Sequence, residues 1–427
     1  MNQAAAAADV RARLAQLLAQ GLADRISGRI GLAVSGGSDS TALLHLAADW
    51  AKAHGARLCA VTVDHGLRPE AADEARGVAD QCRDLGIGHD ILQWRDWDGQ
   101  GNLPDQARRA RYRLMADWAK AQGIAAIALG HTADDQAETL LMRLGRGSGV
   151  DGLAAMQAVR RHLGIEWLRP LLPARREDLR AFLTARQLGW SDDPGNEDPA
   201  YGRVQARRAL ALLAPLGVTV EGLTATAGLM RMASSALGQV AGDLAATSVR
   251  IDAGDVVFDR AALLAAAEET RLRLVAHALV WISGAEYRPR ILALKAAVAA
   301  VSEGRRATLQ GCLIMPARRE IRITREARAV AGLECAHDGL WDRRWRLTGP
   351  QTGPAAKGLT IRALGGDGLR QCPDWRALGV PRATLLAQPA VWNGANLVAA
   401  PLAGLGNGWS AEMPAGADDF RTSLIVH

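Results

Sequence analysis

Ser35-Gly36-Gly37-Ser38-Asp39-Ser40 follows the apolar run Ile30-Gly31-Leu32-Ala33-Val34 and precedes Thr41-Ala42-Leu43-Leu44-His45-Leu46, whose apolar residues recur at helical spacing. A strand, a glycine-rich turn and a helix in this order build a phosphate cradle. The glycines permit positive φ and bare backbone N–H groups. The helix aims its unpaired N–H groups and partial positive charge at the same point. Ser35, Ser38 and Ser40 add hydroxyl donors, and Asp39 adds a carboxylate able to hold Mg²⁺ beside phosphate. Gly31 to Gly36 has the gap of a Walker A loop, but Gly37-Ser38 stand where Lys-Ser/Thr belongs. Without that lysine, chemistry at a γ-phosphate is not expected.

Outward from this loop, the chain alternates strands and helices. A leading helix is expected from about Asp9 to Arg25. After the helix that follows the loop, Arg57 to Val63 reads as a second strand ending in Asp64-His65-Gly66-Leu67-Arg68. A helix from about Pro69 to Gly86 and a strand from His89 to Trp94 come next. The alternation predicts an α/β fold with a doubly wound parallel sheet. Ligands of such sheets lie at the carboxyl ends of the strands, where the strand order reverses. His65 sits at such an end and is a candidate for the nucleotide pocket. Asp105 to Lys120 reads as a helix carrying Arg108, Arg109, Arg111 and Arg113, a pattern that by itself usually marks a solvated face.

The fourth strand, Ala125 to Leu129, leads into Gly130-His131-Thr132-Ala133-Asp134-Asp135-Gln136-Ala137-Glu138-Thr139. With a helix starting near Thr132, His131, Asp135 and Glu138 point one way, toward the strand ends, with Asp134 on the flank. No H-E-x-x-H occurs, and the set does not make a closed zinc site. Facing a triphosphate, such carboxylates hold Mg²⁺ or an amine substrate. Gly147-Ser148-Gly149-Val150-Asp151-Gly152 matches G-x-G-x-x-G but follows a helix rather than a strand, so it is no dinucleotide fingerprint. Arg143 to Gly149 reads instead as a basic, mobile loop.

The length of 427 residues predicts two or three domains, and 49% hydrophobic residues suffice for sizeable cores. The net charge of +6 is carried almost wholly by arginine and is compatible with a polyanionic partner. Five cysteines without a C-x-x-C pair predict reduced thiols in a cytoplasmic protein. No run of about 18 apolar residues occurs, so no membrane span is expected.

The hexapeptide Ser35–Ser40 resembles the S-G-G-x-D-S signature of PP-loop ATP pyrophosphatases, an adenine nucleotide alpha hydrolase-like fold. The resemblance implies that ATP is cleaved to AMP and pyrophosphate and a carbonyl is adenylated. Further motifs narrow it: Asp64 to Arg68, Ala110-Arg111-Tyr112, His131 to Thr139, Arg146-Gly147-Ser148-Gly149, Arg169-Pro170-Leu171-Leu172, and Trp190 to Asn196 leading to Tyr201. Over about residues 25 to 210 this series resembles the tRNA(Ile)-lysidine synthetase family. That family ligates L-lysine to C2 of the wobble cytidine in the CAU anticodon of tRNA(Ile), through an adenylated cytosine. By this resemblance Ser35, Gly36, Gly37, Ser38, Asp39, Ser40 and His65 bind ATP. Asp39 with Asp135 holds Mg²⁺, Arg111 neutralises the α-phosphate, and Glu138 binds the lysine amine or carries its proton. His131 joins Asp39, Arg111, Asp135 and Glu138 as a catalytic candidate. Arg203 is followed by Val204 where the family pattern has Arg-Asn.

Residues 1–215 are expected to form the catalytic domain, 216–331 a mainly α-helical tRNA-binding domain, and 340–427 a small β-rich C-terminal module. Arg146, Arg288 and Arg290 are candidate RNA contacts, and whether the chain works as a homodimer is left open. Three other readings compete. A PP-loop tRNA thiolase would need paired cysteines or an iron–sulfur cluster. A small-molecule synthetase leaves the basic charge unexplained. A non-catalytic RNA-binding relic leaves Asp39, Asp135 and Glu138 unexplained.

Overall fold

The computed structural model describes residues 3–66, 71–95, 97, 100, 102–192, 202–350, 358–414 and 417–425. Leu67, Arg68, the Asp193–Asn196 part of the expected turn, Tyr201 and Gly416 lie outside them. The chain forms two compact units, Met1–Ser234 and Ser235–His427.

The first unit opens with α1 (Gln3–Leu22), β1 (Arg29–Ala33) and α2 (Ser38–His54), then β2 (Arg57–Asp64), α3 (Ala71–Asp84) and β3 (Gly88–Gln93). It continues through α4 (Leu103–Ala121), β4 (Ala126–Leu129), α5 (Ala133–Leu144), α6 (Val150–Leu153), β5 (Val159–His162) and β6 (Ile165–Leu168). Helices α7 (Arg176–Ala185), α8 (Gly202–Leu213) and α9 (Val220–Ser248) follow, the last with residues on either side of the division. The six strands form one sheet in the order β3-β2-β1-β4-β6-β5, parallel except for β5 against β6. Both faces are covered. Leu43, Leu44 and Ala47 of α2 join Leu14 and Leu18 of α1 and Leu179 and Leu183 of α7 on one face. Met115, Ala116 and Trp118 of α4 pack with Val61, Ile127 and Trp167 on the other. The expected doubly wound sheet is therefore present. The chain steps outward from β1 to β2 and β3, then returns to β1's other side with β4. The reversal thus falls between β1 and β4, and the loops leaving these two strands flank the crevice where such sheets bind ligands.

In the second unit, β7 (Val249–Asp252), β8 (Asp255–Asp259), β9 (Ala307–Leu309), β10 (Cys312–Pro316) and β11 (Glu320–Arg325) form an antiparallel sheet packed with α10 (Arg260–Ala265), α11 (Glu268–Ser283) and α12 (Ile291–Ser302). Sequence pattern shows only the last of these strands. The other four are three to five residues long and two of their turns hide them. Ala253-Gly254 and Gln310-Gly311 both have positive φ at each position, as tight hairpin turns require, but Ala and Gln are weak signals for that geometry. A second sheet of Glu334–Ala336, Leu359–Ala363, Pro389–Asn393 and Asn396–Ala399 has its own core around Trp341, Trp345, Ile361 and Val391.

Candidate active site

The loop after β1 is held open by its own hydroxyls. Ser40 Oγ accepts from Ser35 N at 3.1 Å and lies 3.0 Å from Gly37 O, to which it donates. Thr41 Oγ1 donates to Gly36 O at 3.2 Å. Gly36 has φ +89°, which a side chain disfavours, and this turns its carbonyl outward to accept Ser191 N at 2.9 Å. Gly37 caps α2 without a side-chain bond, so the first-turn N–H groups of Ser38 to Ser40 are left for an anion. Ser35, Gly36, Gly37, Ser38 and Ser40 are thus gathered between the end of β1 and the first turn of α2.

The loop after β4 comes against this cradle through Gly130. A Cβ there would lie 2.9 Å from Asp39 O, Ser40 Cα and Ser40 N, so only glycine permits the approach. His131 follows, and Thr132 caps α5. Thr132 N and Oγ1 each donate to Asp135 Oδ2 at 2.9 Å, and Asp135 N returns to Thr132 Oγ1. This reciprocal cap fixes Asp135 at the helix start. Gln136 clamps Met156 with both halves of its amide, at 2.8 and 2.7 Å, which steadies the same turn from behind. Glu138, one turn further on, is 1% exposed.

Asp39, Asp135 and Glu138 converge on one guanidinium. Arg176 donates from Nε to Asp39 at 2.9 Å, from Nη2 to Asp135 at 3.3 Å and from Nη1 to Glu138 at 3.3 Å. Arg203 also reaches Asp135 at 3.3 Å, and Arg207 reaches Glu138 at 3.1 Å. Burial raises the Asp39 pKa against the pull of Arg176. At Asp135 burial also works upward, but the charges of Arg203 and Arg176 prevail and hold it below the usual carboxylate range. Glu138 Oε1 takes both arginine bonds, whereas its buried Oε2 has no hydrogen-bond partner among the described residues.

Beside these carboxylates lies a cavity of about 360 Å³ lined by His65, Pro104, Ala107, Arg108, Arg111, His131 and Arg203. Arg203 borders both, since it bonds Asp135 and lines the cavity. Arg111 is half-buried, and its Nε, shielded from solvent, has no partner among the described residues. Burial depresses the imidazole pKa of His65 and drives that of His131 well below its usual range, so both are neutral. Their buried Nδ1 atoms are also without partners. Unsatisfied polar atoms of this kind, gathered around a cationic hollow at the switch point, suit an anionic ligand.

The sequence-derived candidates Asp39, Asp135, Glu138, Arg111, His131 and His65 are therefore brought to one crevice. Arg146 is exposed on the turn after α5. Arg288 and Arg290 belong to the second unit, half-buried and exposed respectively. The turn after α5 is anchored from within, because Arg143 Nη1 bonds Gly152 O at 2.7 Å and Ala155 O at 3.1 Å. The residue that sequence reasoning missed is Arg176. Its position follows from the Arg169-Pro170-Leu171-Leu172 turn: Arg169 is tied to Gln157 O at 2.9 Å, Ala174 O accepts Ala133 N at 2.8 Å, and Arg176 N donates to Asp134 Oδ2 at 2.7 Å. The only local signal is a basic residue just after a proline-bounded turn.

The sequence profile of the PP-loop domain matches residues 7–213. A tRNA(Ile)-lysidine synthase of Ruegeria pomeroyi is 49% identical over 399 residues, covering 93% of this chain and 94% of that protein. The chain belongs to the tRNA(Ile)-lysidine synthase family. It is thus an ATP-using, tRNA-modifying enzyme of ligase type. Within the family, the Bradyrhizobium sp. protein is 44% identical over 59% of this chain and 74% of its own length. Among solved structures, the U34-tRNA thiolase NcsA of Methanococcus maripaludis, with its [4Fe-4S] cluster, aligns at 16% identity and a TM-score of 0.45, covering 52% of this chain and 79% of that one. The cysteines here do not favour a thiolase. All five are free, and burial pushes the Cys82 thiol up to about 11 and that of Cys312 up to about 12, away from the reactive thiolate. No single helix among the described residues is long and apolar enough to cross a membrane.

Proposed function

We propose that the crevice joins L-lysine to C2 of the wobble cytidine in a CAU-anticodon tRNA(Ile), giving lysidine, AMP and pyrophosphate. The cytosine O2 attacks the α-phosphorus of ATP, and the bond to the β-phosphate breaks. The lysine ε-amine then attacks C2, and AMP leaves with the former O2. The cradle Ser35–Ser40 binds the pyrophosphate that departs. Arg111 and the neutral His131, at the cavity wall, stabilise charge on the α-phosphate.

The observation that carries this reading is Glu138 Oε2, a buried carboxylate oxygen with no donor among the described residues, beside a cationic cavity. An incoming ammonium supplies the missing donor, and Glu138 takes a proton as the amine attacks. The same residues fit Mg²⁺, because a cationic group already bridges Asp39 and Asp135, and two carboxylates with phosphate oxygens suffice for that ion. Asp39 and Asp135 would hold the ion, and its charge would offset that of the leaving pyrophosphate.

The division of the chain into 1–215, 216–331 and 340–427 is part of the proposal. One apolar core built mainly from residues 241–323, which Phe420 and Leu424 also join, and another built from residues 330–409 support the second boundary. Arg146, Arg288 and Arg290 are proposed to contact the RNA backbone, and the cytoplasm is the proposed compartment. With purified protein, ATP, labelled lysine and a CAU-anticodon tRNA, label should enter the tRNA only when ATP is present. Absence of incorporation where a known family member incorporates lysine would overturn the reading.

A further inference from the structure

One guanidinium serves three carboxylates from two elements, and this is more than a helix cap requires. Arg176 stands at the first position of α7, where its backbone is bolted to Asp134 at the start of α5. Its side chain is 19% exposed and that of Asp39 18%, against 7% for Asp135 and 2% for Glu138, so Arg176 and Asp39 together form the outer side of the cluster. Arg203 and Arg207 supply further cations to Asp135 and Glu138. Asp39 has Arg176 alone as a cationic partner among the described residues. Three carboxylates sharing a buried centre repel one another and need a counter-charge whether or not a ligand is bound. An ion between Asp39 and Asp135 would occupy the space that the Arg176 Nε and Nη2 groups now fill.

We propose that Arg176 is a placeholder cation, which holds the carboxylates poised in the unloaded protein and gives up Asp39 and Asp135 to the divalent metal, so that it sets the metal requirement. This rests on the reading above in which those two residues hold Mg²⁺. The short bond to Asp39 breaks, while the backbone anchor on Asp134 keeps the start of α7 in place. Arg176 is then a positioning residue, competing with the metal rather than touching the reacting atoms.

The test is direct binding of Mn²⁺ alone, followed by loss of its free-ion electron paramagnetic resonance signal. Wild type, Arg176→Gln, Arg176→Lys and Asp39→Asn are compared, with circular dichroism to confirm folding. Removing a competing cation should tighten Mn²⁺ binding about tenfold in Arg176→Gln, in the ordinary range of coupling between two ligands. Arg176→Lys, which cannot span Asp39 and Asp135 together, should tighten it about threefold, and it carries the test if the Gln variant does not fold. Asp39→Asn should lose the site. Unchanged or weaker binding in the Arg176 variants, with the site lost in Asp39→Asn, overturns the placeholder and leaves the metal reading intact. Wild-type binding in Asp39→Asn overturns the metal reading, and the placeholder falls with it.

Discussion

Gly130→Ala tests whether the contact between the β4 loop and the cradle governs catalysis. The added Cβ would sit 2.9 Å from Asp39 O, Ser40 Cα and Ser40 N. Unstrained contacts between non-bonded carbon atoms lie at about 3.5–4.0 Å, so the two backbones must part by roughly 0.6–1 Å. All three atoms are backbone, and no rotamer change relieves the clash. They belong to the first turn of α2, which carries Asp39 and aims its N–H groups at the phosphates. A misplacement of about 1 Å costs about 10²-fold in rate, and overpacking costs about 1–3 kcal/mol of stability. The assay is tRNA-dependent pyrophosphate release from ATP, read as kcat/KM, with a thermal melt on the same preparation. Gly77→Ala is the control. Gly77 lies in α3, and a Cβ added there would meet nothing within 4 Å, so that change should leave the rate alone and stabilise the helix by about 0.5–1 kcal/mol. Wild-type kcat/KM in Gly130→Ala would refute the claim that this approach sets the cradle.

Glu138→Gln should cut lysine transfer by about 10²-fold or more, while single-turnover pyrophosphate release with tRNA and ATP stays within about threefold. Equal losses in both steps would place Glu138 in adenylation instead. Thr132→Val removes the hydroxyl that both accepts from and donates to Asp135, and should lower unfolding stability by about 1–2 kcal/mol in urea melts; no change would show the cap to be idle. In the second unit, Asp255 is faced by Arg322 at 3.0 Å and Thr384 at 2.5 Å, with Arg344 nearby, and burial raises its carboxyl from the ordinary 3.8 to about 6. A raised folded value means that the native state holds a proton the unfolded chain releases. This group's contribution is greatest below pH 4 and is lost as pH rises through 6. Relative to Asp255→Asn, wild type should therefore lose about 1–3 kcal/mol between pH 4 and pH 7, and a pH-independent difference between the two would count against it.

What was legible in the sequence was whatever rests on local order. Strand, glycine turn and helix around Ser35–Ser40 are contiguous, and so is the face of Asp135 and Glu138 on α5. The parallel sheet follows from their alternation. Arg176 was not legible, because its role depends on a turn at Arg169–Ala174 that registers α7 against Asp134, and nothing near Arg176 in sequence names its three partners. Gly130 was visible as part of a motif, but the backbone it approaches is remote in the chain. The antiparallel sheet of the second unit escaped because its strands are short and its hairpin turns use Ala253 and Gln310. The departure at Arg203-Val204 proved compatible with the site: Arg203 reaches Asp135 while Val204 is buried.

The central claim is that the wobble cytosine's own carbonyl oxygen attacks ATP at this crevice. A tRNA carrying heavy oxygen at the C2 carbonyl of its wobble cytidine, incubated with the protein, ATP and lysine, tests it most directly by mass spectrometry of the AMP produced. Adenylation followed by displacement predicts AMP that carries the heavy oxygen, in step with lysidine formed. Lysidine accompanied by unlabelled AMP would contradict the account.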